Sequence, residues 1–213
     1  MRYRSALLLT LLLLVGGCRR NPPPEPPLPP EPTPRGLSAI EGRLEGWTLG
    51  RALITLTGGY AVQGDGQTTT LTLMEPTYTG DIAEDGAFSV DLSGPVAEGA
   101  LFALGCTADA PDVAVLLIGL VSQTDPIASL DDIIADVTLR PDPELFPTAM
   151  WVYAKGAYRY SGACDSGENL LSLTEVELEL VAGWNAVIVE RLTFGARMRS
   201  ADIPESYRWQ PAY

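Results

Sequence analysis

The sequence predicts an all-β protein: an antiparallel β-sandwich or barrel-like domain with little helix, following an N-terminal leader and a proline-rich linker. Three observations carry this. Beyond residue 35 the apolar residues recur with period two, the spacing of half-buried strands, and not with the 3.6 period of a helix. Glycine-rich breaks at Gly58-Gly59, Gly64-Asp65-Gly66 and Asp85-Gly86 supply turns at close intervals. No segment of ordinary helical length carries an amphipathic stripe.

In chain order, Ala52, Ile54 and Leu56 alternate with Arg51, Thr55 and Thr57, and Thr68, Thr70 and Thr72 flank Leu71 and Leu73. Phe88, Val90 and Leu92 then alternate with Ser89, Asp91 and Ser93. Val113 to Val121 is uninterrupted and apolar, which predicts one central strand covered on both faces. Ser129-Leu130-Asp131-Asp132 reads as a capped helix start, while Ile133 to Leu139 reads equally well as strand. Pro141, Pro143 and Pro147 mark a loop or a sub-boundary near 140–147. Val176, Leu178 and Leu180 alternate with Glu175, Glu177 and Glu179, and Ala182-Gly183-Trp184-Asn185 predicts a hairpin turn into Ala186 to Val189. The glutamate stripe reads as a solvated strand face paired to residues such as Arg191, with a cation-binding face as the alternative.

Ahead of this domain, Arg2 and Arg4 precede an apolar run from Ala6 to Val15 broken only by Thr10. Spanning a bilayer takes about 20 apolar residues, so residues 1–17 read as a signal peptide and not as a membrane span. The ending Leu14-Val15-Gly16-Gly17-Cys18 resembles the bacterial lipobox. The resemblance implies cleavage before Cys18, acyl chains such as palmitate on that residue, and anchoring to a membrane of the cell envelope, on its periplasmic face or at the cell surface. The alternative is a plain secretory peptide with a chance cysteine. Residues 18–35 form the linker: nine of the thirteen residues from Pro22 to Pro34 are proline. At about 3.1 Å per residue this semi-rigid spacer would reach roughly 40 Å.

Residues 36–213 are long enough for one sizeable domain with its own core. Five of the 14 basic and two of the 27 acidic side chains precede Gly36, leaving nine against 25, a net charge of −16. Phosphate-rich partners are therefore excluded: no nucleic acid is expected, since binding it requires clustered Lys and Arg. The chain has no histidine. Serine or cysteine nucleophiles paired with imidazole, and the commonest zinc sites, cannot be built. No cofactor is expected. Once Cys18 is taken by lipid, Cys106 and Cys164 remain as an even pair in an exported protein, and a disulfide is the expected state. Buried or reactive thiols are the alternative.

Ile40-Glu41-Gly42-Arg43-Leu44, followed later by Glu84-Asp85-Gly86-Ala87-Phe88-Ser89, resembles the opening of carboxypeptidase-regulatory-like, transthyretin-like β-sandwich modules over residues 38–92. That resemblance implies a mostly non-catalytic accessory. The remainder is similar in style to uncharacterised envelope lipoproteins.

The sharpest local feature is Trp151-Val152-Tyr153-Ala154-Lys155-Gly156-Ala157-Tyr158-Arg159-Tyr160. A two-residue turn at Lys155-Gly156 would pair Tyr153 with Tyr158 and Trp151 with Tyr160, setting four rings on one face. Such a face is either a ligand platform for a glycan or another envelope protein, or a piece of core. Acidic groups cluster at Asp81, Glu84 and Asp85, at Asp109 and Asp112, at Asp131, Asp132 and Asp136, and at Asp165 and Glu168. None follows a calcium-loop pattern, so solvated turns are the simpler reading. The functional expectation is a membrane-anchored envelope lipoprotein carrying a non-catalytic binding or structural module, in contact with the bilayer through Cys18. The alternative is a glycan hydrolase using paired carboxylates.

Overall fold

A computed structural model describes residues 36–64, 69–103, 106–107, 110–141, 147–164 and 173–211. Residues 1–35, which hold the expected signal peptide, Cys18 and the proline-rich linker, and Asp65, Gly66, Thr68, Asp109, Asp165 and Glu168 lie outside the described residues. Those from Gly36 onward belong to one compact unit. It is all-β.

The strands are β1 (Ala39–Arg43), β2 (Ala52–Thr57), β3 (Tyr60–Gly64), β4 (Thr69–Leu73), β5 (Tyr78–Ile82), β6 (Ala87–Asp91), β7 (Phe102–Ala103), β8 (Asp112–Leu116), β9 (Ile118–Ser122), β10 (Ile133–Pro141), β11 (Thr148–Ala154), β12 (Tyr158–Cys164), β13 (Leu173–Leu180), β14 (Gly183–Arg191), β15 (Ala196–Ser200) and β16 (Tyr207–Pro211). The only helical elements among the described residues are 3-10 turns at Glu98–Ala100 and Leu130–Asp132.

The first half is an antiparallel run in the order β1-β6-β5-β2-β9-β10, with β16 pairing β10. A parallel bridge between Leu44 and Trp209 brings β16 back to the end of β1, so the ring closes through backbone. The second half runs β7-β8-β11-β14-β15-β13-β12, with one parallel pair, β13 with β15. The halves join where β10 meets β11, at Leu139 opposite Ala149 across the predicted sub-boundary.

Strand alternation explains why β11, β14 and β8 sit between two cores. Successive side chains point to opposite faces. Ala149 and Trp151 on β11, Trp184 and Ile188 on β14, and Ala114 and Leu116 on β8 face a first core with Ile40, Ile54, Leu56, Phe88, Val90 and Trp209. Met150, Val152 and Ala154, Val187 and Val189, and Val113 face a second core with Val176, Leu178, Leu180, Ala196 and Met198. A smaller cluster of Leu71, Leu120 and Ile127 lies under the β3–β4 hairpin. The Tyr60 hydroxyl pins that hairpin by donating to Asp136 Oδ2 at 2.9 Å.

Two glycines are required by geometry. Gly86 adopts φ +82°, and a Cβ there would come within 2.7 Å of the Leu44 carbonyl and of Trp47. A side chain on Gly42 would run into the Trp209 indole and the Phe88 ring.

Several expectations need correction. Val113 to Val121 is two strands, not one: β8 pairs β11 while β9 pairs β2 and β10, and the partners change at Leu117, whose N–H donates to the Thr57 carbonyl at 2.9 Å. The β2 strand is not half-buried: side chains on both of its faces are covered. Thr55 and Thr57 are buried, satisfied by Thr79 Oγ1 at 3.0 Å and the Met74 carbonyl at 2.6 Å. Of the two readings of the 129–139 segment the strand holds: no helix of standard length starts at Ser129, where a Ser129–Asp132 capping box closes a single 3-10 turn, and β10 follows at once.

The hairpin expected at Ala182–Asn185 does not form, since β15 lies between β13 and β14. The Asn185 side chain ties that corner, its Oδ1 accepting from Val181 N–H at 2.9 Å and its Nδ2 donating to the carbonyls of Val181 and Gly183 at 2.9 and 2.8 Å.

Candidate functional site

The aromatic run is divided between the two cores. Both edges of β11 are occupied, by β14 and by β8, so β12 cannot fold back beside it and pairs β13 instead. Tyr153 is opposite Trp184 and Ala114, and Tyr158 is opposite Leu180. The hairpin about Lys155-Gly156, and with it the single four-ring face, is absent.

Trp151 is 3% exposed and lies flat on Trp209, ring centroids 5.5 Å apart and planes 8° apart. Tyr153 is half-buried, edge-on to Trp184 at 5.5 Å. Both belong to the first core, where Phe88 also meets Trp209 edge-on at 5.1 Å and Tyr78 meets Trp184 at 5.8 Å. Tyr158 and Tyr160 are half-buried at the margin of the second core, stacked on one another at 6.2 Å with planes 6° apart. Their hydroxyls are engaged: Tyr158 with Thr107 Oγ1 at 3.1 Å, and Tyr160 donating to the Ala163 carbonyl at 2.6 Å. Beside this seam Cys106 and Cys164 sit at disulfide distance, with Cα atoms 4.3 Å apart. Lys155 donates to Glu98 at 2.8 Å, and that bond raises the amine above its ordinary pKa.

The glutamate stripe of β13 is solvated and paired, with partners other than Arg191. Glu179 meets Arg159 of β12, and Glu175 meets Arg197 of β15, which also reaches Glu190 at 3.5 Å. Arg199 lies 3.3 Å from Glu190. Together with Arg43–Asp85, Arg51–Glu84, Lys155–Glu98 and Arg208–Glu45, these pairs set a carboxylate against at least seven of the domain's cations. The surplus of acid is what remains for solvent.

A surface depression of about 530 Å³ is lined by Arg51, Ala52, Asp81, Ile82, Ala83, Glu84 and Asp85, bringing the first acidic cluster together. The Asp85 carboxyl is held low by the Ala87 N–H and secondarily by Arg43. Asp132 is held low by the Ala128 and Ser129 amides, which makes it a turn-capping group. Asp131 and Asp112 are exposed, while Asp136 accepts from Tyr60. Among the described residues no three acidic or thiol groups converge in a metal-ligand arrangement.

Sequence reasoning did not assign Trp184, Trp209 and Phe88 to one aromatic core. The alternation Tyr207-Arg208-Trp209 was a usable signal for a strand with an aromatic inner face. Comparison with known protein families, curated proteins and solved structures finds no match to this chain.

Proposed function

We propose that this chain is a lipid-anchored protein of the bacterial cell envelope whose β domain is a non-catalytic binding or structural module. The observation that carries the anchor is the run Leu14-Val15-Gly16-Gly17-Cys18 ahead of a proline-rich spacer. Two acyl chains suffice for stable anchoring, at about 0.8 kcal/mol for each buried methylene. The likeness of residues 38–92 to carboxypeptidase-regulatory-like modules supports an accessory role.

Within the domain, the contact surface assigned by this reading is the stacked Tyr158–Tyr160 pair, which keeps part of its area in solvent. Flat, rigid rings of this kind suit a sugar ring or another envelope protein. Trp151 and Tyr153 face the first core and are not part of that surface.

Metabolic labelling with an alkyne-bearing palmitate tests the anchor: the natural chain takes up label and fractionates with membranes, while Cys18→Ser does neither. Equal labelling of both would overturn it. A second reading, hydrolysis of a glycan by paired carboxylates, draws on the depression holding Asp81, Glu84 and Asp85. Turnover of envelope polysaccharide abolished by Asp81→Asn or Glu84→Gln, with folding intact, would replace the non-catalytic reading.

A further inference from the structure

Among the described residues, the two ends of the second half's run of strands meet through side chains. At one end are β7 and β8, which pair with each other; at the other is β12, which pairs β13. Three ties cross between these ends: the Cys106–Cys164 bond, the Thr107–Tyr158 hydroxyl pair at 3.1 Å, and Lys155–Glu98 at 2.8 Å. The two polar ties are exposed to water, where such contacts contribute little. Cys164 is buried with the second core, and Cys106, Tyr158, Tyr160 and Phe102 pack against it.

The first core is built otherwise. Its ring closes by backbone pairing, and it takes in all four tryptophans: Trp151, Trp184 and Trp209 buried, with Trp47 packed against them.

We propose that the Cys106–Cys164 disulfide is a redox latch on the second core: reducing it opens the seam between Cys106 and β12, uncovers the Tyr158–Tyr160 pair, and leaves the first core folded. The reductant is a dithiol. One of its thiolates attacks a sulfur of the bond to form a mixed disulfide, and its second thiol then displaces the remaining cysteine. The dithiol ends as a cyclic disulfide, having supplied two electrons and two protons, and Cys106 and Cys164 end as thiols. This inference stands on the seam alone and does not depend on which ligand, if any, the tyrosines meet.

The test is amide hydrogen exchange on the full chain, held in detergent micelles with and without dithiothreitol, read alongside tryptophan emission. Reduction should speed exchange at least tenfold in peptides carrying Cys106 and in those spanning Tyr158–Cys164. Peptides from β1, β2, β5 and β6 should be unchanged, with no shift in emission. The Cys106→Ser/Cys164→Ser chain should show the same pattern without reductant. Uniform acceleration with a red-shifted emission would overturn the proposal, because the two cores would then open together. So would unchanged exchange around both cysteines, or two free thiols in the unreduced chain.

Discussion

The two cores of this domain share β8, β11 and β14 yet are held by different means. The first is aromatic, with Trp151 on Trp209, Phe88 against Trp209, and Tyr78 and Tyr153 against Trp184. Its ring of strands is completed by β16. The second is aliphatic, built from valines, leucines, alanines and two methionines, and a covalent bond crosses its seam. A core with large rings buries enough area to close on itself. Where the fill is smaller and the strands end without meeting, a crosslink does the closing by limiting the unfolded chain.

The comparison can be broken most severely at Trp209. Trp209→Ala removes the ring that both Trp151 and Phe88 contact, and should cost about 3–5 kcal/mol in urea unfolding, with loss of the tryptophan signal. A loss below about 1 kcal/mol would show that the aromatic stack is not what holds the first half. Next comes the Cys106→Ser/Cys164→Ser chain, whose loop of 58 residues implies a loss of about 4 kcal/mol in the chain-entropy account. If only the seam opens, part of that loss will appear as local exchange instead of a lower midpoint. Tyr60→Phe is smaller, about 1 kcal/mol for the bond to Asp136, and should be confined to exchange in β3 and β4.

Acid should separate the halves more gently still. Asp85, Asp91 and Asp132 have carboxyls held below the ordinary 3.8, chiefly by the amides of Ala87, Ser93 and Ala128, and all three lie on or beside strands of the first half. A carboxyl depressed by folding contributes stability above its unfolded pKa, and that contribution is lost as pH falls through the folded value. The midpoint of thermal unfolding should therefore fall as the pH drops below the ordinary carboxyl value of 3.8, with β5 and β6 loosening before β13. Asp91→Asn should flatten that dependence, and equal acid loss in the variant would count against the assignment.

Much of the fold was legible because strands that bury one face announce it. Phe88 and Val90 against Ser89 and Asp91, and Val176, Leu178 and Leu180 against three glutamates, point the way their alternation implies. The cysteine pair was legible from its parity once Cys18 was set apart by its lipobox-like surroundings. What failed was pairing between neighbours in sequence. Lys155-Gly156 looks like a hairpin turn, but whether β12 can lie beside β11 depends on β8 and β14, which are remote in the chain. The Val113 to Val121 run gave no sign of its break, because both pieces are buried and only Leu117, 38% exposed, marks the corner. The candidate site suffered most: the four rings share a sequence motif but not a face, since Trp151 and Tyr153 point into one core and Tyr158 and Tyr160 edge the other.

The pairing of β1 has a mechanical meaning. Leu37 N–H donates to the Trp184 carbonyl at 2.7 Å, and β1 then runs antiparallel to β6 from Ala39–Asp91 to Arg43–Ala87. A pull applied ahead of Gly36 along the axis of β1 would load all five of those residue pairs together in shear, across hydrogen bonds that lie perpendicular to the strands. The strand that receives tension first is thereby also one whose Ile40, with Leu44 just beyond its end, is rooted in the aromatic core, so the force path leads into the half of the molecule that closes without a crosslink.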